Sequence, residues 1–334
     1  MGKVRMIDIA KKVGVSTVSV HNALTGKRGV SDDIRNEILK VAKEMGYQQV
    51  SGSGNAEDGE LKNICVIISE KYLADYDTFY WKLYQDIALA ADVKNCMVTM
   101  DILKHSMEEQ FKLPRIVEQK ATEGIIVLGE INKEYICFLK EQVKMPIVFL
   151  DFYDDEIAQD AVITENFYGM YLMTEYLIKH GFNRLAYVGS INATSSIMDR
   201  YCGFYKAIIQ NHIPLKEEWI IEDRDETGNI CLEMPKEMPE AFVCNCDLVA
   251  GMLITELEKL GYRVPEDISV VGFDNYIYPG LTEKKITTYE VNMKAMAKVA
   301  LTKVLKQLKN PNSGRGLDVI AGKIIYKESV KERI

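Results

Sequence analysis

The chain has 334 residues, of which 47% are hydrophobic and 27% charged, and these values are typical of a soluble protein with two or three domains. No apolar run is long enough to cross a bilayer, and the first residues lack the apolar core of a secretion signal. We therefore expect a cytoplasmic protein without a membrane partner. Seven cysteines without a CxxC pair favour reduced thiols and predict neither a metal site nor another cofactor.

The net charge of −8 is unevenly distributed along the chain. Residues 1–50 contain nine basic and five acidic side chains, a net charge of +4, whereas the remainder carries −12. A basic head can attract DNA phosphates while an acidic body stays away from them. The acidic total therefore does not exclude a DNA-binding protein.

Three short helices are predicted in the first fifty residues. Ala10 is small enough for a tight helix crossing, Gly14 permits a positive φ in the turn that follows, and Val20 is the apolar contact of the second helix. Ser16 and Ser31 are suitable N-cap residues for the second and third helices. The expected apolar positions are Ile7, Ile9, Ala10, Val13, Val15, Val20, Ala23, Leu24, Ile34, Ile38, Val41, Ala42 and Met45. This spacing predicts a helix-turn-helix, with a generic three-helix unit as the alternative.

The segment 14–26 and the residues that follow it, Gly29, Val30, Ser31, Ala42, Gly46 and Tyr47, resemble the head of the LacI/GalR family of bacterial repressors. The resemblance implies that the second helix enters the major groove and that Thr17, Val18 and Asn22 meet base edges. Asn22 stands where the family often has arginine, and its amide suits adenine. His21 also departs from the family pattern and is assigned to phosphate or solvent. Candidates for caps and DNA backbone contacts are Ser16, Ser19, Thr25 and Lys27.

Residues 48–62 form a glycine-rich, acidic segment that predicts a flexible linker. Many members of the family have a short helix here, with a leucine that kinks the operator. This chain has no leucine in the segment before Leu61, and three carboxylates would repel phosphates. We therefore expect weaker operator bending than in such relatives.

The chain after residue 62 alternates between short apolar strands and amphipathic helices, which predicts parallel sheets flanked by helices. The predicted strands are 63–69, 96–102, 124–129, 146–151, 184–189, 219–222, 241–245 and 268–273. The predicted helices are 78–93, 108–121, 132–143, 167–180, 199–210, 248–260 and 292–308. Ligands in such folds bind beyond the carboxyl ends of strands, here after residues 69, 151, 189, 245 and 273.

The segment 264–275, a proline-started loop, a buried strand and then Gly272, Asp274 and Asn275, resembles the LacI/GalR sensor domain. Further matches are 146–151, Glu165, Asn166, Gly169, His180, Gly181, Arg200, Gly203, Phe204, 286–288 and 328–330. The resemblance implies an all-α head, residues 1–47, followed by an α/β sensor, residues 63–334, of two Rossmann-like lobes similar to periplasmic binding proteins. The expected lobes are about 63–162 plus 292–322 and about 163–291 plus 323–334.

The resemblance also implies an effector site between the lobes. Arg200 and Asp274 fall where relatives hold polar groups of the effector, and a guanidinium facing a carboxylate suits vicinal hydroxyls or a planar polar ring. A structural ion pair is the alternative. Cys246 replaces the asparagine common in the family, which leaves a polar contact to Asn245 or Asp247. The other expected contacts are Asp151 and, from the aromatic cluster 72–81, one or two of Tyr72, Tyr76, Phe79, Tyr80 and Trp81.

These features predict a repressor that binds a pseudo-palindromic operator as a homodimer and is controlled by a small molecule, expected to be a carbohydrate. The alternatives are a cytoplasmic carbohydrate-binding protein and an enzyme, neither with a role at DNA. The four histidines have no metal-ligand spacing, and neither a Gly-x-Ser-x-Gly motif nor a phosphate-binding Gly-Lys-Ser loop is present. An attached DNA-reading head argues against a solute receptor.

Overall fold

The computed structural model describes residues 4, 6–24, 30–45, 61–73, 78–154, 156–157, 159–225, 228–278, 280–311, 313 and 316–332. The chain divides into two compact units, Met1–Glu60 and Leu61–Ile334, called here the head and the sensor. The predicted linker lies outside the described residues except for its last two, and so does the expectation about operator bending. Lys62 already begins the first strand of the sensor.

The head consists of three helices, α1 (Met6–Val13), α2 (Thr17–Leu24) and α3 (Asp32–Glu44). Gly14 ends α1 with φ +78°, as predicted. The Ser16 hydroxyl accepts a hydrogen bond from the Ser19 amide at 3.0 Å and so caps α2. Ser31 occupies the N-cap position of α3 but makes no capping bond through its side chain. The predicted helix-turn-helix is confirmed.

The core of the head differs from the prediction at two positions. Ile7 is 44% exposed and Ile34 is 39% exposed, whereas Ile9 is fully buried with Ala10, Val20 and their neighbours. Both errors arise because an eight-residue or thirteen-residue helix has apolar residues on more than one face, and sequence periodicity alone does not say which face meets the other helices.

The sensor contains two six-stranded sheets. The first has the order β11-β5-β4-β3-β1-β2 and is entirely parallel. Its strands are β1 (Lys62–Ser69), β2 (Cys96–Leu103), β3 (Gly124–Leu128), β4 (Ile147–Leu150), β5 (Asp160–Thr164) and β11 (Leu317–Ile320). The strand order reverses between β1 and β3, so the loops that follow these two strands diverge and leave a crevice.

The second sheet has the order β12-β10-β9-β8-β6-β7 and is parallel except for β12. Its strands are β6 (Leu185–Val188), β7 (Ile220–Ile221), β8 (Ala241–Cys244), β9 (Ser269–Asp274), β10 (Thr287–Glu290) and β12 (Lys323–Ile325). Here the order reverses between β6 and β8. The predicted pair of Rossmann-like lobes is confirmed.

Helices cover both sheets. On the first sheet they are α4 (Phe79–Val93), α5 (His105–Glu109), α6 (Arg115–Glu118), α7 (Lys133–Gln142) and α11 (Met293–Lys309), and on the second α8 (Asn166–Lys179), α9 (Ser195–Gln210) and α10 (Asp247–Lys259). We call each sheet with its helices the first and the second lobe. The chain crosses between them after β5, after β10 and after β11.

Two parts of the sequence prediction for the sensor are wrong. The expected helix 108–121 is two short helices, α5 and α6, because Phe111 adopts φ +50° and Pro114 cannot continue a helix. Four strands, β5, β10, β11 and β12, were not predicted. Each is three to five residues long, and β11 is largely exposed, so none has a distinctive apolar run.

The described helices include none that is long and apolar enough to span a membrane. The apolar cores lie between each sheet and its helices, and one cluster joins residues of both lobes. This arrangement places the carboxyl ends of β1, β3 and β4 opposite those of β6, β8 and β9, where polar side chains of the two lobes meet.

Candidate functional site: a helix-turn-helix surface and a buried inter-lobe cluster

The start of α2 forms the exposed surface of the helix-turn-helix. Thr17 is exposed, and Val18 is 66% exposed and takes no part in the apolar core of the head. Ser16 and Ser19 bond to each other through their hydroxyls at 2.9 Å. His21 and Asn22 are partly buried, and the Asn22 backbone oxygen accepts from Arg35 at 3.2 Å. Thr25 and Lys27 lie outside the described residues.

Arg200, on α9, is the centre of a buried polar cluster in the sensor. Its Nε donates to Asn166 Oδ1 at 2.8 Å, and its Nη1 donates to the backbone oxygen of Asn245 at 2.7 Å. Its Nη2 lies 3.4 Å from Asp274 Oδ1, and the guanidinium stacks 4.0 Å above the ring of Phe273. Three of its five donors are thus directed to groups of the second lobe.

The first lobe contributes Asp151 and two tyrosines to this cluster. The Tyr80 hydroxyl donates to Asp151 Oδ2 at 3.0 Å, and the Tyr72 ring lies 4.4 Å from that of Tyr80. Asp151 adopts φ +72° at the end of β4, and Asp274 adopts φ +104° at the end of β9. Strand ends in such conformations are strained, and strain of this kind concentrates at functional sites.

Two polar atoms beside Arg200 are buried without a hydrogen-bond partner among the described residues. They are Asp151 Oδ1, an acceptor from the first lobe, and Asn166 Nδ2, a donor from the second. An unsatisfied buried polar atom costs about 1–3 kcal/mol, so native proteins retain few of them without a reason. A ligand donor could bond to Asp151 Oδ1, and a ligand acceptor could bond to Asn166 Nδ2.

Burial dominates the electrostatics of the cluster. It raises the pKa of Asp151 to about 6 and that of Asp274 to about 7, while the Arg200 guanidinium opposes both changes and the charge of Asp151 adds to the second. Burial likewise raises the pKa of Asp247 well above its usual value, with the nearby Asp274 adding to the effect. Near neutral pH, Asp151 and Asp274 are therefore protonated in a fraction of the molecules. A protonated carboxyl group can donate a hydrogen bond as well as accept one.

The two residues that flank Cys246 are engaged within their own lobe. Asn245 Nδ2 donates to Asp223 Oδ2 at 2.7 Å and to the Val188 backbone oxygen at 3.0 Å. Asp247 Oδ2 accepts from the Tyr276 amide, and its other oxygen packs so closely against Gly272 that a Cβ there would lie 2.0 Å away. Their side chains hold the loops in place, and only the backbone oxygen of Asn245 reaches Arg200.

The aromatic cluster after β1 has several different roles. Phe79 is buried in the core, in edge contact with Tyr80 at 5.3 Å, and Trp81 is 39% exposed and stacks on Tyr84. Tyr76 lies outside the described residues. Tyr72 and Tyr80 alone among the described members of this cluster adjoin Asp151. Asn166 was not among the predicted site residues, because its contact with Arg200 joins positions 34 residues apart in the chain.

Two cavities adjoin the cluster. One, of about 750 Å³, lies at the carboxyl edge of the first sheet between Ser69, Glu130 and Phe152. Another, of about 570 Å³, is lined by Lys82 of the first lobe and by Asp274 and Tyr276 of the second. Neither cavity is lined by Arg200, Asp151 or Asn166. No cluster of three or more potential metal ligands occurs among the described residues.

Comparisons with known proteins agree with these two units. Residues 5–49 match the model of the "Bacterial regulatory proteins, lacI family", and residues 174–330 match that of the "Periplasmic binding protein-like domain". The chain is 22% identical to the HTH-type transcriptional repressor PurR of Aliivibrio fischeri, over 98% of both chains. It is 24% identical to that of Mannheimia succiniciproducens, over 97% of this chain and 98% of the relative.

Solved structures share the fold along nearly the whole chain. A complex of the transcriptional regulator CelR with cellobiose superimposes with a TM-score of 0.67 at 17% identity, covering 98% of this chain and 99% of the other. The lac repressor dimer bound to operator and the anti-inducer ONPF gives 0.62 at 18% identity, with the same coverage. The helix-turn-helix head thus matches the lacI family of bacterial regulatory proteins and the two-lobed sensor matches the periplasmic binding protein-like domain, the arrangement of a DNA-binding transcription regulator with a ligand-binding sensor.

Proposed function

We propose that the protein acts in the cytoplasm and represses transcription by binding a pseudo-palindromic operator as a homodimer, and that a carbohydrate bound between the lobes changes its operator affinity. The observation that carries the effector assignment is the pair of unpartnered buried atoms beside Arg200, Asp151 Oδ1 and Asn166 Nδ2. A hydroxyl group can donate to the first and accept from the second. Neighbouring hydroxyls can also reach Arg200, and the Tyr72 and Tyr80 rings offer a face for a sugar ring.

The location of the cluster supports control of the DNA-binding activity. Asp151 belongs to the first lobe, and Arg200 and Asn166 belong to the second, so a ligand that bonds to all three favours one inter-lobe arrangement. A ligand shifts an equilibrium only by its difference in affinity for the two states, and operator and effector must then change each other's affinity by the same factor.

The effector site is tested by thermal unfolding and calorimetric titration with ribose, cellobiose, lactose and purine bases. We expect a sugar to bind and to change operator affinity. Arg200→Lys keeps the charge but cannot reproduce the guanidinium geometry, and should weaken this binding roughly tenfold to a hundredfold. Arg263→Lys, at an exposed ion pair, is the control. A response to purine bases alone would exclude the carbohydrate, and unchanged binding in Arg200→Lys would exclude the site.

Base reading by the head is tested with Asn22→Ala, for which Asn36→Ala on α3 is the matched control. Because an amide that pairs with one base contributes about 1–3 kcal/mol of discrimination, the variant should lose preference at one base pair in each half-site. The assay is operator selection from a randomised DNA pool at fixed salt. An unchanged selected sequence would show that Asn22 does not read a base.

An apolar surface on the first lobe supports the proposed homodimer. Leu89 and Val93 on α4 are 65% and 83% exposed, and Met97 and Ile102 on the adjacent edge strand β2 are about half exposed. Leu89 and Val93, four residues apart on one face of α4, form an exposed apolar pair of the kind found in protein interfaces, whereas Met97 and Ile102, five residues apart, point to opposite faces of β2. Val93→Glu should convert the dimer to a monomer in sedimentation equilibrium and weaken operator binding, whereas a dimer that persists would place the interface elsewhere.

A further inference from the structure

The first turns of α9 hold a group of hydrogen bonds that join the two lobes. Glu130 Oε2, in the loop after β3, accepts from the Ser195 amide at 2.9 Å and from its hydroxyl at 3.2 Å. The Ser196 hydroxyl donates to the backbone oxygen of Asp151 at 3.1 Å, and the Tyr153 hydroxyl donates to Asp199 Oδ1 at 3.1 Å. Since α9 belongs to the second lobe and its partners here belong to the first, every one of these contacts depends on lobe closure.

Glu130 completes the capping of α9 from the opposite lobe. Within the second lobe, Thr194 Oγ1 accepts from the Ile197 amide at 3.2 Å, and the Thr194 backbone oxygen accepts from Met198 at 3.1 Å. The first amide of the helix, that of Ser195, takes its acceptor from Glu130. The first amides of a helix have no partner within it, and its N-terminus carries a partial positive charge. A carboxylate at this point therefore stabilises α9 by a hydrogen bond and by its charge.

The loop that carries Glu130 is held firmly in the first lobe. Gly129 adopts φ +77°, and a Cβ at this position would lie 2.7 Å from the Tyr72 ring. The Tyr72 hydroxyl donates to the Glu130 backbone oxygen at 2.7 Å, and Asn132 caps α7 directly after the loop. The carboxylate consequently moves with the first lobe, and separation of the lobes takes it away from Ser195.

Arg200 lies five residues after Ser195 on the same helix. It is also close enough to Asp151 of the first lobe for its charge to oppose the effect of burial on that carboxyl. The contacts of α9 with Glu130 and with the Asp151 backbone therefore fix where the guanidinium stands relative to the first-lobe half of the cluster. A looser α9 would leave Arg200 within its own lobe but displaced from Asp151.

We propose that Glu130 is a positioning residue that links lobe closure to the placement of Arg200, by capping α9 across the lobe boundary only when the lobes are together. The inference goes beyond the repressor function, because it concerns an equilibrium of the sensor that exists without operator and without effector. It is therefore tested without either of them.

The test measures the distance between the lobes by single-molecule fluorescence energy transfer. Cys137 on α7 and Cys202 on α9 are both exposed and provide one labelling position on each lobe. Cys96 and Cys231 are replaced by serine, and labelled chains are diluted into unlabelled chains so that each dimer carries one labelled pair. The full-length chain is used throughout.

We expect Glu130→Gln, which retains an acceptor but loses the charge, to raise the ratio of separated to closed lobes roughly twofold to fivefold, and Glu130→Ala to raise it further. Glu134→Gln, an exposed position in the first turn of α7, is the matched control and should leave the ratio unchanged. A purely structural role of Glu130 would lower the unfolding temperature without changing this ratio. An inter-lobe ratio in Glu130→Gln equal to that of the control overturns the proposal.

A double-mutant cycle across the lobe boundary provides the second measurement. Ser195→Ala removes the hydroxyl that donates to Glu130 while leaving the backbone amide in place. If Glu130 acts through this helix end, the effects of Glu130→Ala and Ser195→Ala on the inter-lobe ratio are not additive, because the two substitutions remove parts of the same contact. Additive effects would show that Glu130 acts elsewhere and would overturn the proposal, while the repressor function would be unaffected.

Discussion

Replacing Asp274 by asparagine should remove a large part of the pH dependence of the sensor's stability. Asp274 is buried at the end of β9, and burial raises its pKa from 3.8 to about 7, against the effect of Arg200 and with a contribution from Asp151. Asparagine has nearly the same shape and keeps an acceptor for Arg200, but it does not titrate. The difference between the two proteins therefore isolates one carboxyl group.

The stability contributed by Asp274 changes with pH in the direction opposite to that of an acid whose pKa is lowered by a neighbouring cation. Because the folded pKa lies above the unfolded one, the folded state binds more protons between pH 4 and pH 7, and stability falls as the pH rises through this window. The interval from 3.8 to about 7 corresponds to roughly 4 kcal/mol, at about 1.4 kcal/mol for each pKa unit. Since Asp151 titrates in the same range, we expect a change of about 2–4 kcal/mol between pH 4.5 and pH 8.

Urea unfolding followed by tryptophan fluorescence measures this change. Both tryptophans, Trp81 and Trp219, belong to the sensor, so the head does not contribute to the signal. The free energy of unfolding of the wild type, relative to Asp274→Asn, should fall as the pH rises. Asp267→Asn is the control, since Arg263 lowers the pKa of this exposed carboxyl to about 2 and it does not titrate in the window. If the difference in the free energy of unfolding between the wild type and Asp274→Asn does not change with pH, the reasoning is refuted.

Three further predictions concern packing, capping and the thiols. Gly203→Ala would place a Cβ 2.1 Å from the Phe167 backbone oxygen where α9 crosses α8. It should therefore destabilise the sensor by at least about 3 kcal/mol, the upper end of the usual range for overpacking, as measured by the same urea unfolding. Ser16→Ala should lower the stability of the head by about 1 kcal/mol, measured by circular dichroism, because it removes the cap of α2. Iodoacetamide should modify the exposed Cys137, Cys202 and Cys231 in the folded protein but not Cys246, whose pKa burial raises to about 12, as peptide mass spectrometry will show.

The sequence predicted what short-range patterns determine. Gly14, with Ala10 and Val20 on either side, identified the helix-turn-helix because the turn and the crossing impose steric limits on these residues. Most sensor strands were predicted because buried parallel strands are continuous apolar runs. The short strands β10 and β12 were not predicted. They pair antiparallel with each other, and the chain passes through the other lobe between them, so no local pattern indicates the pairing.

The candidate site was predictable only in part. Arg200, Asp274 and Asp151 followed from a resemblance to a family, and no local spacing would have associated them. Asn166 and Glu130 were missed because their contacts join positions 34 and 65 residues apart in the chain. Asn245 and Asp247 lie beside the cluster as expected, but hydrogen bonds within the second lobe occupy the Asn245 amide and one Asp247 oxygen, and neither partner was visible in the sequence.

The two interpretations of Arg200, a ligand contact or a structural ion pair, are not exclusive. The guanidinium does face Asp274, but a single contact of 3.4 Å is far from the two parallel bonds of a strong arginine–carboxylate pair. A buried ion pair of this quality contributes little to stability and costs a great deal when one partner is lost. Since Asp151 Oδ1 and Asn166 Nδ2 beside it are also unpartnered, the cluster is better arranged to receive a further polar group than to stabilise the fold alone. The contacts with Asp274, Asn166 and the Asn245 backbone orient the Arg200 guanidinium, which suits the polar ligand proposed above.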